Sequence, residues 1–172
     1  LRNEIETERL LLRPWRDSDR QPLYRLNTDP RVMEFFPATL TREETDAAVT
    51  RYQEHYARHG FTFFAAELRE TGSLIGIIGI FHTPFETHFT PCVEIGWRIG
   101  YDHWNRGLTT EAARALMRYG FEELRLPQIV ALTVPTNIRS RRVMEKLGMT
   151  RDAADDFDHP LIAEGHPLRR HV

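Results

Sequence analysis

The run 93–113, VEIGWRIGYDHWNRGLTTEAA, constrains the fold of this chain more than any other stretch. Val93, Ile95, Trp97 and Ile99 fall on one face of an extended segment and Glu94 and Arg98 on the other, the two-residue period of a strand. Residues 101–106 read as a turn, and a helix begins at Leu108 with Gly107 at its mouth. A strand, a glycine-bearing turn and a helix start make an anion site, because the first amides of a helix lack internal partners and carry roughly half a positive charge. An ordinary strand–turn–helix connection accounts for the same residues, so this stretch alone leaves the choice open.

The rest of the composition narrows the classes. The 172 residues suffice for one domain with a sizeable core, and 1–172 is expected to be one. A net charge of −2 gives no global electrostatic case for nucleic acid or a membrane surface as partner. The single cysteine, Cys92, admits no internal disulfide and fits a reducing, cytoplasmic setting. No run approaches the length of a membrane span, and the opening LRNEIETERLLLRPW lacks a signal-peptide layout.

Along the chain, 9–15 reads as a strand ended by Pro14, and Asp17 as the cap of a helix over 18–26. Residues 31–36 are a short apolar element. Thr41 and Glu44 form a capping-box pattern before a helix that Gly60 ends. Residues 61–68 and 74–81 predict a hairpin, and the second strand, LIGIIGIF, is apolar on both faces, as a central strand is. Residues 82–92 are a loop. The helix over 108–124 is expected to bury Ala113, Leu116, Met117, Gly120, Phe121 and Leu124. A covered strand over 128–134, a helix capped by Asn137 and closed by Gly148, a strand over 149–157 and a last strand from 168 complete the order. The fold class is therefore α/β or α+β, with a central mixed sheet flanked by helices.

Two blocks in this order, EIGWRIGYDHWNRGLTTEA and TNIRSRRVMEKLGM, resemble the GCN5-related N-acetyltransferase (GNAT) superfamily. The opening ETERLLLRPW and the closing KLGM narrow the resemblance to the branch of ribosomal-protein N-terminal acetyltransferases of the Rim type. The resemblance spans nearly the whole chain. It implies a mostly antiparallel sheet that splays at a cofactor cleft, acetyl-coenzyme A (acetyl-CoA) as donor, no metal, and a primary amine on a small molecule or peptide as acceptor. It leaves a homodimer open. The strand segment implied to pair with the cofactor arm is Trp97, Arg98 and Ile99. The pyrophosphate-cradling pattern falls on Trp104, Asn105, Arg106, Gly107, Leu108 and Thr109, with Thr110 in the same first turn. Trp104 stands where Gln or Arg is usual, and Thr109 where Gly or Ala is. Asn137 resembles the family asparagine that bonds the cofactor arm, although a helix cap explains it as well. Arg139, Arg141, Arg142 and Lys146 form a basic cluster that either meets phosphates or is merely solvated.

The chemistry needs a neutral amine, a polarised thioester carbonyl and a leaving thiolate. An α-amine, with a pKa of about 7.7–8.0, asks little of a base; a lysine amine at about 10.4 needs roughly 3–4 kcal/mol more help. Glu94 is the candidate base, acting directly or through a water. Ser140 resembles the branch's serine, which bonds the cofactor sulfur or protonates the thiolate. Both have structural alternatives, a salt-bridge partner and a plain helix hydroxyl. Cys92 has no matched Cys–His spacing for a covalent route, and the eight histidines show no motif such as HExxH. His82, His88, His103, the loop 83–91 with Phe85, Glu86 and Phe89, and 31–36 are expected around the substrate. A non-catalytic acyl-CoA-binding module of the same fold is the competing reading.

Overall fold

The computed structural model describes residues 4–172. Strands β1 (Ile5–Glu6), β2 (Leu10–Arg13), β3 (Phe63–Leu68), β4 (Leu74–His82) and β5 (Val93–Ile99) lie side by side in chain order, every pair antiparallel. The register sets Leu12 against Ala66, Ile78 against Trp97 and Phe81 against Glu94. The two-sided apolar run of β4 sits second from the edge as expected. One face carries Leu12, Phe64, Ile78, Ile80 and Ile95 and packs on Leu108, Ala112 and Leu116 of helix α3 (Leu108–Arg118). The other carries Ala65 and Ile77 and packs on Leu23 of helix α1 (Arg20–Asn27) and Val49 of helix α2 (Arg42–His59). Gly79 permits this density: a Cβ there would stand 2.3 Å from the Thr62 carbonyl oxygen and 2.4 Å from the Phe63 Cα.

The capping box of α2 forms as its sequence predicts, Glu44 donating its amide to the Thr41 hydroxyl at 3.1 Å while its carboxylate accepts from the Thr41 amide at 2.8 Å. Asp17 does not cap α1. Residues Asp17–Asp19 form a 3₁₀ turn, and Asp19 turns inward onto Arg13. That guanidinium donates to both Asp19 oxygens (2.7 and 2.9 Å) and, through Nε, to Glu67 on β3 (2.6 Å). Burial alone would raise the Asp19 carboxyl; the Arg13 fork and the Arg16 amide outweigh it and hold the group below the ordinary carboxylate range.

Three expected strands are reduced. Residues 128–134 meet β5 at one parallel bridge, Glu94 with Val130, where Ile95 N–H donates to the Val130 carbonyl (2.7 Å) and Val130 N–H to that of Val93 (3.0 Å). The segment then leaves β5, and Thr133 exchanges hydrogen bonds with Val172. Residues 149–157 contain a 3₁₀ turn, Ala153–Asp155, started by the Asp152 side chain, and only β6 (Phe157–Asp158) is extended; it pairs with β7 (Arg170–His171) as a separate two-stranded sheet. Helix α3 ends in a π turn, Tyr119–Glu123. The extra residue rotates the helix face, and Phe121, expected inside, is 40 % exposed. Among the described residues, no helix is long and apolar enough to cross a membrane.

Candidate active site

The departure of 131–134 from β5 opens the sheet. Ile95 uses its outward N–H on Val130, and strand alternation points the N–H and C=O of Trp97 to the same side, where no described residue meets them. Ile99 is the next residue on that edge, and its carbonyl accepts the Trp104 indole N–H at 2.9 Å. Beyond β5, Gly107 takes φ 76° and starts α3 without a side-chain cap. The amides of Leu108, Thr109 and Thr110 therefore face a cleft of about 290 Å³.

That cleft gathers nearly the whole predicted set: Trp97, Arg98, Ile99, Trp104, Asn105, Gly107, Leu108, Thr109, Thr110, Asn137 and Ser140 all line it. Arg106 does not line it; its carbonyl accepts from Arg9 Nη1 at 2.9 Å. Glu94 also lies outside the lining. It stands three residues, about 10 Å, up the strand from Trp97, with its side chain on the α1–α2 face of the sheet.

Helix α4 (Ile138–Lys146) supplies the far wall. Asn137 caps it, accepting from the Ser140 amide at 3.2 Å. The Ser140 hydroxyl oxygen accepts twice, from the Trp97 indole (3.2 Å) and from the Asn137 amide nitrogen (3.1 Å). Its own hydrogen finds no acceptor among the described residues. Arg142 and Lys146 line the cleft; Arg141 turns away to the Pro135 carbonyl (3.0 Å). Arg139 pairs with Glu34 and lies over the rings of Trp104 (4.5 Å) and Phe35 (5.4 Å).

On the other face of β5, the side chains of Glu94 and Arg98 are partly buried, and both act electrostatically on Tyr52. Desolvation alone pushes the Glu94 carboxyl up to about 7. Burial pulls the Arg98 guanidinium down; its Nε has no partner among the described residues, and its head sits 5.0 Å over the Phe36 ring.

Several expected neighbours stand elsewhere. His103 lines the cleft, whereas His82 and His88 do not. The loop 83–91 turns its aromatic rings to the small sheet: Phe89 meets Phe157 at 5.0 Å and Phe85 meets His159 at 4.4 Å. Of the expected substrate walls, 31–36 lines the cleft through Arg31, Val32, Phe35 and Phe36. Cys92 Sγ lies 3.2 Å from the Thr83 hydroxyl.

Two features were not anticipated. Glu111, in the first turns of α3, accepts from the Thr7 hydroxyl (2.6 Å), the Arg9 amide (2.8 Å) and Arg9 Nε (2.7 Å), clamping the start of the chain to the mouth of the cleft. No local pattern encodes a contact a hundred residues long. His55, His59 and His82 converge at the end of α2, and here a signal existed: His55 and His59 are spaced i, i+4 on one helix face.

A profile of the Acetyltransferase (GNAT) domain matches residues 9–150. The chain belongs to the GNAT acetyltransferase family. It is similar to the N-acetyltransferase YnaD of Bacillus subtilis (strain 168), 38% identical over 149 residues that cover 86% of this chain and 83% of that one. The crystal structure of a GNAT-family acetyltransferase from Bacillus anthracis superposes with a TM-score of 0.78 at 32% identity, covering 98% of this chain and 94% of that one. The fold is also that of a spermidine N-acetyltransferase from Vibrio cholerae, solved in complex with CoA and spermine, at a TM-score of 0.69 and 18% identity over 95% of this chain and 94% of that one. This GNAT protein is thus an N-acetyltransferase of a family in which acetyl-CoA is the acetyl donor.

Proposed function

We propose that this GNAT enzyme acetylates a primary amine of α-amine basicity, on a peptide N-terminus or a small molecule, by direct attack with donor and acceptor bound together. The observation that carries the reading is the alignment, in one cleft, of an open β5 edge at Trp97 with the uncapped N-terminus of α3. The residues fit acetyl-CoA. The Leu108, Thr109 and Thr110 amides suit a pyrophosphate, and the positive φ of Gly107 brings backbone close to it. The Trp97 edge suits the amide-bearing pantetheine arm, and Arg142 and Lys146 add charge at the rim. When bound, acetyl-CoA supplies an electrophilic thioester carbonyl and a thiolate leaving group.

The protein's part is proton handling and orientation. The Trp97 N–H donates to the carbonyl oxygen as negative charge grows there. Glu94, with a pKa of about 7, matches an ammonium of pKa about 8 and takes its proton through a water, since Glu94 lies outside the cleft lining. The Ser140 hydroxyl, already accepting from Trp97 and Asn137, has its hydrogen left to donate to the departing sulfur. A thiol of pKa about 8.5 leaves readily, so that donation assists rather than enables the step.

Thiol release measured against N-terminal peptides, polyamines and blocked lysine tests this. The reading expects peptides or small molecules with an α-amine to turn over at pH 7.5 and blocked lysine to lag by at least a hundredfold. Binding of acetyl-CoA without turnover of any amine would favour the acyl-CoA-binding module instead.

A further inference from the structure

Three histidines that the acetyl-transfer chemistry does not use lie at one corner of the fold. His55 and His59 stand one turn apart on α2, and His82 is the last residue of β4. One ring nitrogen of each falls within 4.8 Å of the other two. The ring centroids are 4.5 Å apart for His55 and His59, 4.5 Å for His59 and His82, and 5.1 Å for His55 and His82. We propose that His55, His59 and His82 bind one divalent transition-metal ion of the zinc type, with water completing the coordination.

Hydrogen bonding prepares the first ligand. His55 Nδ1 lies 2.7 Å from the Phe61 carbonyl oxygen, which can only accept, so Nδ1 carries the proton and Nε2 presents its lone pair inward. A metal-binding imidazole is commonly oriented in this way, its second nitrogen donating to a backbone carbonyl. The His82 ring Nδ1, at 2.9 Å, and the His82 amide, at 3.3 Å, both converge on that lone pair. Two nitrogens bound to one zinc at about 2.0–2.1 Å stand about 3.3 Å apart, so the His55–His82 pair needs a few tenths of an ångström of movement, and His59, whose ring nitrogen lies within 4.8 Å of both, closes onto the ion by turning its side chain.

The surroundings hold the rings. His55 stacks on Phe81 at 3.9 Å, and Phe61 lies 5.2 Å from His55 and 5.1 Å from His82. Three imidazoles without carboxylate or thiolate suit Zn²⁺, Ni²⁺ or Cu²⁺ and disfavour Mg²⁺ and Ca²⁺. An ion here would tie the last turns of α2 to the end of β4, the root of the loop 83–92.

The test is titration of EDTA-stripped protein with Zn²⁺ against a chromophoric competitor, and with Co²⁺ read by its visible absorption. Wild type, His59→Ala, His82→Gln and a His159→Ala, His171→Ala control are compared. The proposal expects one ion per chain at micromolar or tighter affinity and a tetrahedral Co²⁺ spectrum. His59→Ala and His82→Gln should each weaken binding at least tenfold while keeping the wild-type circular dichroism and metal-free melting temperature, and the control should bind as wild type does. Absence of stoichiometric binding, equal affinity in His59→Ala, or loss of binding in the control alone would overturn it. Acetyl transfer is measured separately, so failure here leaves the acetyl-transfer reading standing.

Discussion

Replacing Glu94 by glutamine removes a carboxylate that the fold desolvates and does not pair. Its pKa rises from 4.5 to about 7 for that one reason. That rise corresponds to about 3 kcal/mol, and because the residue keeps some exposure, about 2–3 kcal/mol is the working figure. The native state holds this proton up to about pH 7, whereas the unfolded chain releases it near 4.5. Between those values the native state binds more protons, so stability falls as pH rises, and the full penalty is present above pH 7. Glu94→Gln escapes it. The variant should match wild type near pH 4.5 and exceed it by about 2–3 kcal/mol at pH 8.5, roughly 5–10 °C in melting temperature for a chain of this size. Its kcat/KM should fall by about 10²–10³, the usual worth of a positioned base. Urea melts of both proteins at several pH values from 4.5 to 8.5 measure the stability difference, with thiol release on the same samples. A variant no more stable than wild type at pH 8.5, or a difference that does not change with pH, would refute the desolvation argument whatever happened to activity.

Ser140→Ala should lower kcat about tenfold with little change in the KM for acetyl-CoA, and acceptors whose reaction is limited by thiolate departure should suffer most; steady-state kinetics resolve the two parameters. Gly79→Ala drives a methyl group into the β3 backbone and should cost at least about 3 kcal/mol by urea denaturation. Asp19→Asn leaves Arg13 with Glu67 as its remaining carboxylate and should cost about 3 kcal/mol or more. Neither Asp19 nor Arg13 lines the cleft, so the KM for acetyl-CoA should not move in protein that stays folded.

What the sequence made legible was the part encoded by local rules. The alternation of 93–99, the capping box at Thr41 and Glu44, Gly107 at a helix mouth and Asn137 at another are each decided within a turn or a few strand residues. They became the corresponding elements. Composition of the cleft followed, because β5, the α3 mouth and the α4 cap are all local features that the sheet places together. What escaped depended on tertiary context or on a break in local periodicity. The strand over 128–134 has the right residues, yet only Val130 finds β5, because pairing is set by where the chain goes next and not by propensity. Asp17 looked like a cap, but Arg13 on a neighbouring strand claims Asp19 instead. Phe121 points outward because one π turn changes the phase that periodicity assumes constant. Glu94 was singled out by residue type alone; its raised pKa comes from desolvation on the α1–α2 face, which no spacing reveals.

The order of the strands in the sheet is also their order of synthesis. β1 finds β2 at once, β2 waits through both helices for β3, and then β3, β4 and β5 add in succession to one growing side. The cleft is therefore the side where growth stopped. After Val130 touches β5 the chain turns elsewhere, and the backbone of Trp97 keeps the bonding capacity of a strand awaiting its neighbour. In the acetyl transfer proposed above that capacity goes to a small molecule. In a cell short of acetyl-CoA it would be open to any extended chain, so the empty enzyme should be the more aggregation-prone form and its cofactor should act as a solubility factor as well as a substrate.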